Sequence, residues 1–93
     1  MIRLTQKEVK IIKEVIYEVF NESEIYIFGS RIKEKTGGDI DIFVIPKNRD
    51  NLFEKKILAS VKIENRLFKP VDIVIHYDFN RLIEKEAMKG IKI

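Results

Sequence analysis

From Val9 to Phe20 the apolar residues Val9, Ile12, Ile16, Val19 and Phe20 recur at helical spacing, while Lys7, Lys10, Lys13, Glu14 and Glu18 fall largely on the other side. A period near 3.6 with one apolar stripe predicts an amphipathic helix laid on a core. Thr5-Gln-Lys-Glu8 sets its start as a capping box. The Thr5 hydroxyl accepts from the Glu8 amide, and the Glu8 carboxylate reaches back to the amide of Thr5. The helix ends near Asn21. The period then changes. Ile25 to Phe28, Ile42 to Ile45 and Val71 to Ile75 are short apolar runs bounded by Gly29, Pro46 and Pro70, and each reads as a strand.

Between the first two strands, Arg31 to Lys35 reads as a short helical or turn segment, and Gly37-Gly38 breaks the chain. Between the second and third, Asp50 or Asn51 can cap a helix. Its apolar stripe is Leu52, Phe53, Ile57, Leu58 and Val61, with Lys55, Lys56, Lys62 and Arg66 mostly off it. A last helix starts at Asp78 or Asn80, runs through Met88 and stops at Gly90. The order helix, strand, turn, strand, helix, strand, helix predicts an α/β (α+β) fold, a small mixed sheet of about three strands with flanking helices.

Ninety-three residues, 45% hydrophobic and 35% charged, suffice for one domain spanning 1–93 with a single modest core. No apolar stretch approaches the roughly 18 to 20 residues of a membrane span, and Met1-Ile-Arg-Leu-Thr5 has no signal-peptide core, so a cytoplasmic location is expected. The chain has no cysteine, which rules out disulfides, thiolate metal sites and cysteine nucleophiles. The net charge of +3 favours anionic ligands, and direct nucleic-acid binding is not expected.

Chemistry concentrates where Gly29-Ser30-Arg31 closes the first strand and Asp39-Ile-Asp41 opens the second. A Gly-Ser turn at a strand end suits a phosphate, because glycine lets backbone amides approach closely and a following helix start presents its positive end. Arg31 could add a fixed positive charge. Asp39, Asp41 and Phe43 share one face of the strand, and Ile40, Ile42 and Val44 the other. Asp72 is a single acid inside the third apolar run, costly to bury unless paired, and Lys69 is a candidate partner. Asp39, Asp41 and Asp72 on neighbouring strands would make a hard-cation site of the kind magnesium takes. His76, at the third strand's end, has no second ligand beside it and reads as a surface histidine.

Gly29-Ser30, Asp39-Ile40-Asp41 and Asp72 on a later strand, in this order of elements, resemble the minimal nucleotidyltransferase (MNT) family of the polymerase beta-like superfamily. The resemblance covers nearly the whole chain. It implies that Gly29 and Ser30 hold a nucleoside triphosphate, to whose phosphates Arg31 could add its charge, that Asp39 and Asp41 bind two magnesium ions, and that Asp72 completes the metal site on the acceptor side. It also implies an antitoxin that transfers AMP from ATP to a HEPN-domain toxin with release of pyrophosphate. Little chain remains to build a second substrate pocket, so the acceptor is expected to bring its own binding surface. Leu82, Ile83, Met88, Ile91 and Ile93 could contact a partner, though packing on the domain's own core is the simpler expectation.

Two other readings compete. A non-catalytic antitoxin would neutralise its partner by contact alone. A nucleotidyltransferase acting on a small molecule such as an aminoglycoside would need a dimer or a recruited subunit to build the acceptor site.

Overall fold

The computed structural model describes residues 4–29 and 39–93. In chain order it consists of α1 (Gln6–Phe20), β1 (Ser23–Phe28), β2 (Ile40–Pro46), α2 (Leu52–Leu67), β3 (Val71–Ile75), α3 (Leu82–Met88) and β4 (Ile91–Lys92). The capping box at α1 forms as the sequence predicts, with the Glu8 amide donating to Thr5 Oγ1 at 3.1 Å and the Thr5 amide to Glu8 Oε1 at 3.0 Å. The second Glu8 oxygen takes Lys69 Nζ at 2.6 Å, which ties the start of α1 to the segment leading into β3. Burial pushes the Glu8 carboxyl up, but the Lys69 ammonium and the Thr5 donors outweigh it and hold the group below its ordinary value.

The sheet has the order β3-β2-β1-β4. β2 and β3 are parallel, as a connection through a crossover helix requires, and β1 is antiparallel to both β2 and β4. Alternation assigns the two faces. Ile25, Ile27, Ile40, Ile42, Val44, Ile73 and Ile75 point into the main core beneath α1 and α2, where they meet Ile12, Ile16, Phe20, Ala59 and Ile63. The opposite face carries a smaller cluster, Phe28 and Phe43 under Ala87 of α3, with Tyr26, Ile45 and Val74 around it.

Three details depart from the sequence reading. A fourth strand, β4, pairs Ile91 and Lys92 with Ile27 and Tyr26; two residues are too few to show a period. Gly90 makes that pairing possible, because a Cβ there would run into the Ile27 carbonyl oxygen and stand 2.8 Å from Phe28 Cβ. One helix start also differs. Asn51 caps α2, as the sequence allows, in a left-handed conformation (φ 53°) without a side-chain hydrogen bond, whereas α3 begins after Arg81, so neither Asp78 nor Asn80 is its cap.

The largest departure concerns α2. Its buried residues are Ala59 and Ile63, with Leu52 and Leu67 packed beside them. Phe53, Ile57, Leu58 and Val61, which the apolar pattern assigns to the stripe, are 68, 50, 48 and 48% exposed. The small side chain at Ala59 lets the helix lie close to the sheet, so the Leu52-Ala59-Ile63-Leu67 row faces inward at its own helical spacing. The neighbouring side carries Lys62 and Arg66 to Glu18 and Glu14 of α1.

Candidate active site

On the face opposite the main core, residues in register run across the sheet in rows. One row is Phe28-Asp41-Asp72 and the next is Tyr26-Phe43-Val74. Asp41 is a half-buried residue of β2, and its register partner Asp72 lies exposed on the edge strand β3. Adjacent strands are about 4.8 Å apart, so the fold brings two carboxylates together at the beginnings of two parallel strands. Asp39 stands exposed just before β2, on the same alternation as Asp41. The second aromatic row and α3 close this face on one side of the carboxylates and leave them at the sheet's end.

Lys69, the base that could have neutralised Asp72, is engaged by Glu8. Asp72 has no ion-pair partner among the described residues. An exposed edge-strand acid beside a second acid, with Lys69 directed to Glu8, is a suitable oxygen donor for a cation. No group of three His, Asp or Glu side chains among the described residues comes together as a closed metal cage. The donor set fits magnesium nevertheless, since that ion is usually held by one or two carboxylates and takes its remaining oxygens from water and substrate phosphates.

Gly29 is joined to this pair by contact. Its φ is +78°, a left-handed conformation, and a Cβ built on it would collide with Oδ2 of Asp41 and lie 3.0 Å from Cγ. Glycine is therefore required twice over, by the backbone angle and by the carboxylate against it. The turn that ends β1 and the acid that opens β2 are parts of one structure. Ser30 and Arg31, the other nucleotide-holding candidates, lie outside the described residues, as do the Arg31 to Lys35 segment and Gly37-Gly38.

A second polar cluster was not read from the sequence. Glu84, in the first turn of α3, is fully buried. It accepts the backbone amides of Tyr77 at 2.8 Å and Asp78 at 2.9 Å and the Arg81 guanidinium at 2.8 Å, and stands 2.6 Å from His76 Nδ1. Burial pushes its carboxyl up, but the Asp78 amide, His76 and the Tyr77 amide together bring it down to about 2. His76 is thus no surface histidine. Its ring stacks on Phe79 at 3.9 Å and meets Phe43 edge-on at 6.4 Å. Four residues beyond Asp72, it lies about 13 Å along the strand, too far to share an ion with the aspartates. The cluster pins the β3–α3 connection. The sequence signal was a Glu three residues after the true cap at Arg81, hidden by placing the cap at Asp78 or Asn80.

A strand-end glycine turn against a carboxylate, with a second carboxylate in register on the next strand, is an arrangement suited to a divalent cation and the phosphates such a cation carries. Residues 9–93 match the family described as "Polymerase beta, Nucleotidyltransferase", and the chain belongs to it. Among solved structures it is similar to a mutant of the toxin–antitoxin pair MntA–HpeT in which two aspartates are replaced by glutamate. The identity is 28% and the TM-score 0.59, over 73% of this chain and 55% of that one. No curated protein matches it. None of the described helices is long and apolar enough to cross a membrane.

Proposed function

We propose that the chain is the catalytic antitoxin of a toxin–antitoxin pair, a magnesium-dependent protein adenylyltransferase that moves AMP from ATP to a HEPN-type toxin. The observation that carries this reading is the in-register pair Asp41 and Asp72 with Gly29 packed against the first carboxylate. Membership of the nucleotidyltransferase family and similarity to a toxin–antitoxin structure agree with it. The aspartates altered in that mutant are two positions apart, the spacing of Asp39 and Asp41 here.

Asp39 and Asp41 would hold two magnesium ions, with Asp72 completing the set on the acceptor side. Magnesium bound there would neutralise phosphate charge and ease deprotonation of the acceptor hydroxyl. Gly29, Ser30 and Arg31 would position the triphosphate. The acceptor oxygen bonds to the α-phosphorus as the bond to the β-phosphate oxygen breaks. Pyrophosphate leaves with that electron pair, and the hydroxyl proton passes to Asp72. Such transfer depends mainly on positioning and electrostatics, which a domain of this size can supply.

The test incubates the chain with labelled ATP, magnesium and the protein product of the neighbouring gene. Label should pass to that protein and be lost in Asp39→Ala and Asp41→Ala. If those variants suppress toxicity as well as the wild type and nothing is labelled in any case, neutralisation is by contact alone. Label passing to an aminoglycoside instead would assign the small-molecule reading.

A further inference from the structure

The exposed side of α2 carries a row of large apolar side chains. Phe53, Ile57 and Val61 follow one another at four-residue intervals, with Leu58 beside them, Phe68, 89% exposed, at the helix's end, and Ile83 of α3, 42% exposed, across the groove from Phe53. Large apolar side chains uncovered in a row of this kind mark an interaction surface.

This surface is continuous with the site. Phe53, Ile83 and Asp72 line one groove of about 180 Å³ between α2, β3 and the start of α3. We infer that the α2 stripe is the docking surface for an amphipathic helix of the protein acceptor, which enters across Phe53 and brings its hydroxyl to the groove at Asp72. The inference rests on the reading of this chain as a protein-modifying nucleotidyltransferase.

Three features specify the occupant. Four-residue spacing forms the ridge into which another helix packs. Lys56 lies beside Phe53 in the groove without a carboxylate partner among the described residues, whereas Lys62 and Arg66 are neutralised by Glu18 and Glu14. The arriving helix therefore carries acids beside its apolar row. A second copy of this chain is disfavoured, because it would cover Phe53 and shut the groove at Asp72 on both copies.

The probe is the protein product of the neighbouring gene, titrated without nucleotide into wild type, Phe53→Glu, Ile57→Glu and, as a control, Glu22→Gln. Far-UV circular dichroism and melting check that each variant is folded. Binding should weaken at least tenfold in Phe53→Glu and Ile57→Glu and stay unchanged in Glu22→Gln. Wild-type affinity in both stripe variants, or no binding by the wild-type chain, overturns the inference. So does a sedimentation mass of two copies that falls to one in Ile57→Glu, which would give the face to a second copy. Stripe-dependent binding without any transfer of label would remove the catalytic reading and leave the docking surface standing.

Discussion

Replacing Glu84 by Gln should be among the most damaging conservative changes in this chain. The carboxylate is fully buried and takes four donors, from His76, Tyr77, Asp78 and Arg81. Glutamine keeps the shape but loses the charge, and it turns an NH₂ group towards donors that need an acceptor. The depression of the carboxyl from 4.5 to about 2 measures how strongly the fold prefers the ionised form. At about 1.4 kcal/mol per pH unit, it corresponds to on the order of 3 kcal/mol.

Because the folded value lies below the unfolded one, this stability is fully present above pH 4.5. It is lost progressively as pH falls towards 2. Urea denaturation of wild type and Glu84→Gln should therefore differ by about 3 kcal/mol at pH 7, a drop of about 12–24 °C in melting temperature for a domain of this size. The difference should shrink as both proteins are taken from pH 5 to pH 2.5. Equal stability at pH 7, or a gap that does not change on acidification, would show that the ionised carboxylate does not hold the β3–α3 connection.

Other consequences are smaller but equally definite. Gly29→Ala should cost about 1–2 kcal/mol from the left-handed backbone alone, and by displacing the Asp41 carboxylate should lower AMP transfer about 100-fold. In an Asp41→Ala background, where the collision with Oδ2 is gone, the same substitution should cost at least about 0.5 kcal/mol less in a double-mutant cycle; additive costs would deny the contact. Thr5→Ala removes half of the capping box and should lower stability by about 1 kcal/mol in urea denaturation, whereas an unchanged midpoint would mean that the cap is not a determinant of α1.

Those parts of the candidate site that obey short-range rules are legible in the sequence. Period 2 places Asp41 with Phe43 and opposite Ile42, the Thr5-to-Glu8 spacing marks where α1 starts, and Gly29 marks a backbone that turns. Register is a property of the folded sheet, so only the structure shows that Asp41 and Asp72 are neighbours and that Lys69 turns to Glu8. The phase of α2 was misread for a related reason. The pattern counts apolar side chains, and the largest of them are on the outside, whereas the inward row is led by Ala59, whose contribution is close approach. His76 reads from the sequence as a surface histidine, and Glu84 as an ordinary helix residue, because a partner eight residues away becomes visible only once α3 begins at Leu82.

The central claim, that the Phe28-Asp41-Asp72 row holds a metal-bound nucleotide, is tested most directly by NMR of ¹⁵N-labelled protein with ATP and substoichiometric manganese, a paramagnetic substitute for magnesium. The account predicts that line broadening centres on the amides of Gly29, Asp41 and Asp72, requires ATP for full effect, and disappears in Asp41→Asn. Broadening centred instead on Glu84 and Glu86, or unchanged in Asp41→Asn, would contradict it.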